Sequence, residues 1–109
     1  MARQYKVRGS VDSTFTIPVD YRFYNWTAAA SLFSDEACTV PATATAGTII
    51  VNGKIPGAAE AASFDTSPID ATDKSAFATA GTPLDELIIS FSGITGATYA
   101  KVVVTGTEG

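Results

Sequence analysis

Alternation with a period of two is the dominant pattern in this chain. From Leu84 to Thr105, Leu87, Ile89 and Phe91 share one face, Gly93-Ile94-Thr95-Gly96-Ala97-Thr98 turns, and Ala100, Val102 and Val104 return. Every second side chain of a strand points the same way, so the segment predicts an antiparallel β-hairpin with one apolar face. Such a face needs a second sheet to cover it. The expected fold is therefore all-β, an antiparallel β-sandwich of jelly-roll or immunoglobulin-like type or a barrel, with room for one short helix.

The upstream half repeats the pattern. Tyr5, Val7 and Val11 read as one strand whose opposite face carries Lys6 and Arg8, with Gly9-Ser10 as a bulge or bend and Asp12-Ser13 as the following turn. Phe15, Ile17 and Val19 alternate with Thr14, Thr16 and Pro18; proline cannot donate to a ladder, so this strand belongs at an edge or ends near Pro18. Tyr21 to Trp26 reads as a strand with rings on both faces: Tyr21 and Phe23 on one, expected to be buried, Tyr24 and Trp26 on the other with Arg22. Those last two rings pack beneath a loop or form an interface platform, since Tyr and Trp are common anchors. Ala28 to Phe33 fits one helical turn or a strand, and Ser34-Asp35-Glu36 a turn. Gly47 to Val51 is a β-rich run ending at Asn52-Gly53, a dipeptide suited to a type I′ hairpin turn, with Lys54-Ile55 starting the return and Pro56-Gly57 ending it. Residues 58–83 have loop composition, with Phe64, Ile69 and Phe77 the bulky apolar residues. Structureless loops of that length are uncommon in compact domains, so a short strand is expected inside it at Ser75 to Ala78.

Composition sharpens this reading. The 109 residues suit a single sandwich domain, residues 1–109, and a chain 46% hydrophobic and 17% charged can bury enough apolar surface to fold. Much of the apolar count is alanine, which contributes little on burial, so the core must rest on few large side chains. The net charge is −4, which weighs against a nucleic-acid partner. Charge is uneven, however: Arg3, Lys6 and Arg8 make residues 1–8 a basic N-terminal arm or a basic edge strand, and the acids follow later. Met1 to Lys6 lacks the apolar core of a signal peptide and no apolar run is long enough to cross a membrane, so assembly in the cytosol is expected.

Candidate chemistry is sparse. With no histidine, a Ser-His-Asp triad, a Cys-His pair and the usual zinc or copper sites are unavailable. Cys38 is the one cysteine; no intramolecular disulfide can form, and among small apolar neighbours it reads as a buried, inert thiol. Asp35-Glu36 and Asp85-Glu86 are adjacent pairs, and neighbours on a strand point to opposite faces, so neither presents two carboxyls to one substrate. Asp65, Asp70 and Asp73 offer oxygen ligands for calcium but fit no standard calcium loop and read as Asx turns. Gly93-Ile94-Thr95-Gly96 lacks the Lys-Ser/Thr and helix of a phosphate cradle. No catalytic residue, metal or cofactor is expected.

The initial Met-Ala, the Ala/Thr/Gly-rich loops and the ending Ile88-Ile89-Ser90-Phe91-Ser92-Gly93-Ile94-Thr95-Gly96-Ala97-Thr98-Tyr99 through Val102-Val103-Val104 resemble small accessory virion proteins of tailed bacteriophages, in particular capsid decoration or cement proteins. The resemblance implies a protein of the virion's capsid surface whose partner is the major capsid protein and which forms homo-oligomers, with neither nucleic acid nor membrane as partner. Arg3, Lys6 and Arg8 are the residues expected to meet capsid acids, with Tyr24 and Trp26 at a subunit interface. The alternative is a carbohydrate- or receptor-binding sandwich, such as a phage fibre tip, in which Tyr24 and Trp26 stack on sugar rings and loop aspartates take hydroxyls.

Overall fold

The computed structural model describes residues 2–69, 73–79 and 82–107, and among them there is no helix. The strands are β1 (Ala2–Ser10), β2 (Phe15–Pro18), β3 (Asn25–Phe33), β4 (Ala46–Lys54), β5 (Ala62–Pro68), β6 (Asp73–Thr79), β7 (Glu86–Thr95) and β8 (Tyr99–Thr107). They form two four-stranded sheets, sheet I in the order β1-β8-β3-β6 and sheet II in the order β2-β7-β4-β5. All pairings are antiparallel. Of consecutive strands only β4 and β5 are neighbours, and every other connection passes from one sheet to the other. This order is that of the jelly roll, which settles the choice against an immunoglobulin-like arrangement.

The core lies between the inward faces. Trp26, Ala28, Ala30 and Leu32 of β3 and Ala100, Val102 and Val104 of β8 face Ile49 and Val51 of β4 and Leu87 and Ile89 of β7, all of them buried. Within sheet I the small Ala28 and Ala30 lie opposite Val104 and Val102, so volume alternates across the ladder and the layers can interdigitate. Each large aliphatic side chain so buried stabilises the fold by about 1.5–3 kcal/mol. Phe15 and Ile17 of β2 close one margin, with Phe15 meeting Phe91 edge-on at a centroid distance of 6.0 Å. Inward burial of every second residue from Trp26 to Leu32 is what makes 25–33 a strand and not a helical turn.

Several expectations are corrected. Strands β7 and β8 do not form a hairpin: they lie in opposite sheets, and the connecting Thr98 donates its N–H to Phe33 O and accepts from Val11 N–H. Alternation reports which face is buried, and two facing strands satisfy it as well as two paired ones. Asn52-Gly53 is not a turn but the inner end of β4. Gly53 is there for space, because a Cβ would sit 2.9 Å from the Phe64 ring and 3.1 Å from Glu86 O. The chain turns one step later, at Ile55-Pro56-Gly57-Ala58, where Ala58 N–H donates to Ile55 O and Gly57 has φ +84°, the combination of a type II turn with proline leading. Segment 58–83 is largely sheet, since it contributes both β5 and β6, and β6 includes the short strand expected at 75–78. Pro18 does lie in an edge strand, β2. The basic N-terminal segment is the other edge: β1 pairs with β8 from Ala2↔Thr107 to Ser10↔Tyr99, which makes it a strand and not an arm.

Residues 21–26 depart furthest from the pattern. Asp20 to Phe23 is a turn closed by Phe23 N–H on Asp20 O at 3.0 Å, and β3 begins only at Asn25. Tyr21 is 60% exposed, not buried, while Trp26 is 1% exposed. The indole lies over Gly106, its partner across β3 and β8, where a Cβ would come within 2.7 Å of the ring. Its Nε1–H donates to Phe23 O at 2.7 Å, and Tyr5 flanks it with ring centroids 6.1 Å apart. Replacing Trp26 by Ala is expected to cost about 3–5 kcal/mol through the lost ring and the cavity left behind. Gly106→Ala, which overpacks the same spot, should cost about 1–3 kcal/mol; urea titration of both variants measures it.

Candidate functional site

Two polar surfaces stand out, at opposite ends of β1. The first is built by the segment Val19 to Tyr24 between β2 and β3. Asp20 organises it: one carboxylate oxygen accepts the Arg22 backbone N–H at 3.0 Å in an Asx turn, and the same carboxylate takes the Arg22 guanidinium, with Nη2 at 2.7 Å. Hydrogen bonds from the Arg22 side chain and backbone, with the positive charge of Arg22 and then Arg3, lower the Asp20 pKa from 3.8 to about 2. Arg3 lies beside it, Nη2 3.9 Å from Asp20 and the guanidinium carbon 5.4 Å from the ring centre of buried Phe23. The turn thus presents Tyr21 and Arg22 outward. Tyr24 follows, 38% exposed, on backbone fixed by its N–H to Thr107 O and by Thr82 N–H to its own carbonyl.

The second surface is the outer face of sheet I at the far end of β1. Lys6 and Arg8 point away from the core, and register places Arg8 directly across from Lys101. A groove of about 210 Å³ runs past Lys6, Val7, Arg8 and Lys101. Next to it, sharing Arg8, is an open cleft of about 590 Å³ lined by Arg8, Gly9, Ser10, Glu36, Ala37 and Tyr99. Arg8 Nη1 donates to Ala37 O at 3.1 Å, which ties the guanidinium to the 34–40 loop. That loop is held by Asp35, whose carboxylate accepts Thr39 N–H and Val40 N–H, each at 2.9 Å, and the Thr39 hydroxyl. Those donors lower the Asp35 pKa, the Thr39 side chain most.

The residues singled out from sequence therefore separate. Lys6 and Arg8 come together, joined by Lys101 and Tyr99, which sequence reasoning missed. Both are legible in hindsight as the outward phase of the Ala100, Val102, Val104 alternation, but only once β1 is known to pair with β8. Arg3 belongs to the turn at the other end. Tyr24 is at the surface, whereas Trp26 is sealed in the core, so it can neither stack on a sugar nor meet a partner. Cys38 is half-buried, not buried, in the 34–40 loop at φ +57°. Of the loop aspartates, Asp65 accepts a hydrogen bond from Ser67 Oγ at 3.2 Å, Asp73 begins β6, and Asp70 lies outside the described residues. Among the described residues no three acidic, Cys or His side chains converge as metal ligands, and no helix is long and apolar enough to cross a membrane.

No family model and no curated protein matches the chain. Among solved structures, a protein of the Bacillus endospore appendages, which form a family of disulfide-linked pili, aligns with 100% of this chain and 88% of its own at 9% identity and a TM-score of 0.50. The SPBc2 prophage-derived protein YomS aligns over 94% of this chain and 95% of its own at 16% identity and a TM-score of 0.45. The Yersinia pseudotuberculosis-derived mitogen aligns over 98% and 85% at 12% identity and a TM-score of 0.43. At 9% identity the first of these likenesses is one of fold alone.

The depressed Asp20 pKa has a definite sign. An acid stronger in the folded than in the unfolded chain stabilises the fold fully above its unfolded pKa, and that contribution disappears as pH falls through the folded value. Carbon-detected NMR titration of Asp20 should give a midpoint near 2. Relative to Asp20→Asn, the parent protein should lose stability between about pH 4 and pH 2.

Proposed function

We propose that this chain is a non-enzymatic structural subunit of a virion, a capsid decoration or cement protein that binds the assembled head surface and bridges major capsid subunits. The observation that carries the reading is the turn at 20–24, where two tyrosines and two arginines sit on a rigid two-sheet frame. Tyr and Arg are, with Trp, the residues enriched among interface hot spots: Tyr brings large contact area with few rotamers to freeze, and Arg a planar fork of directed donors. Tyr21 and Tyr24 supply the rings, and Arg3 and Arg22 the cations for acids of the lattice. This keeps Arg3 and Tyr24 as docking residues, assigns Trp26 to the frame, and leaves Lys6 and Arg8 to a separate surface. The phage-protein resemblance in the C-terminal segment points the same way.

The mechanism is mass action. A ligand that binds only the assembled lattice raises that lattice's stability, and several weak contacts on a symmetric array add through effective concentration. Homo-oligomers seated on a capsid symmetry axis would multiply the effect.

Mixing the purified protein with undecorated phage heads and sedimenting the particles tests this directly. Co-sedimentation should be saturable and should weaken about tenfold or more in the Tyr21→Ala/Tyr24→Ala double variant, as expected when hot-spot rings are lost. The same variant should keep the parent's unfolding midpoint, because both rings are at the surface. Absence of co-sedimentation, or binding indifferent to the double substitution, refutes the assignment.

A further inference from the structure

The cleft beside Arg8 lies at the other end of β1 from the docking turn. Arg3 and Arg8 are five residues apart on one strand, a span of about 17 Å at about 3.3 Å per residue, so either surface can be occupied while the other is engaged. We infer that this cleft is a binding site for an acidic saccharide, a sugar ring bearing a carboxylate.

Size and lining both fit. About 590 Å³ lies within the usual range of small-ligand sites. Tyr99, the first residue of β8, brings a partly exposed aromatic ring to the lining, and pyranose rings present C–H faces that pack on such rings. Arg8 is pre-oriented by its bond to Ala37 O, and a guanidinium matches a carboxylate with two parallel N–H donors. Glu36 and Ser10 line the same cleft and supply acceptors for hydroxyl groups.

Charge selects the ligand class. Arg8 and Lys101 are like charges directly across a ladder, with Lys6 two residues along, an arrangement that opposes folding. Among the described residues no carboxylate lies within ion-pair distance of any of the three. Lys6 and Lys101 line the adjoining groove and Arg8 is shared with the cleft, so in a chain of net charge −4 the three together raise a positive potential at Arg8 that favours an anion there. Glu36, which lines the cleft with Arg8, disfavours polyanions such as acidic peptides or polyphosphate while tolerating a ligand with one carboxylate and many hydroxyls. Uronic and sialic sugars share that chemistry.

The test uses the full chain and isotope-edited NMR titration with methyl α-galacturonate, 3′-sialyllactose, lactose and hexa-aspartate. Saturable shifts at Arg8, Glu36 and Tyr99 are expected with one or both acidic sugars, and which one binds separates the two sources. Lactose should bind at least tenfold more weakly. Arg8→Gln and Tyr99→Ala should each weaken binding at least tenfold, whereas Tyr21→Ala/Tyr24→Ala should leave it unchanged, so failure here is distinct from failure of capsid docking. Because Arg8→Gln also removes the bond to Ala37, Tyr99→Ala with an unaltered unfolding midpoint is the decisive variant. No shift with either acidic sugar at millimolar concentration, equal binding of hexa-aspartate, or binding that survives both substitutions overturns the inference.

Discussion

The contact between Trp26 and Gly106 holds together parts of the molecule that are otherwise separate. A large ring can lie flat against the β3–β8 ladder only because its cross-strand partner has no side chain. Seated there, the indole reaches Tyr5 of β1 on one side, and its N–H reaches back to Phe23 O on the other. A buried indole N–H needs an acceptor, and the carbonyl it finds belongs to the turn that displays Tyr21 and Arg22. Phe23 in turn carries the Arg3 guanidinium, which also approaches Asp20. One burial event thus fixes the entry into β3, the shape of the 20–24 turn and the position of a β1 side chain.

The two surfaces differ in how their charge is held. At the turn, Asp20 lies against Arg22 and within reach of Arg3, so the cations are oriented and partly neutralised before any partner arrives. That suits docking on protein, where geometry decides more than net charge. On sheet I, Lys6, Arg8 and Lys101 have no such counter-charge among the described residues, and their field extends into solvent. A field of that kind attracts a small anion and weakens with salt. The two surfaces lie at opposite ends of β1, about 17 Å apart, so a ligand at one leaves the other open.

Much of the fold was legible in the sequence, and what was not has a common cause. Alternation marked the buried side chains of β2, β7 and β8 and the outward set of β1 correctly, because hydrophobic burial acts residue by residue. Strand pairing depends on contacts between distant segments, so the β7–β8 connection read as a hairpin when it is a passage between sheets. Asn52-Gly53 read as a turn because local propensity favours it, whereas the tertiary approach of Phe64 fixes its glycine inside a strand. The composition of 58–83 resembles a loop because β5 is a polar edge strand with little to bury. Of the candidate residues, Trp26 was misplaced because an aromatic beside exposed rings carries no local mark of the glycine that receives it across the sheet.

Sheet I also sets an order on how this chain acquires its structure. Gln4 and Thr105, 101 residues apart, are cross-strand partners, and only the β4–β5 ladder joins strands adjacent in sequence. Closing so long a loop has an entropic penalty that local pairing cannot offset in advance. Folding should therefore begin around the β4–β5 unit and finish late, with β1 zipping onto β8 as the last step. During synthesis that step cannot occur before β8 itself has been made, so β1 waits unpaired while residues 11–98 are added.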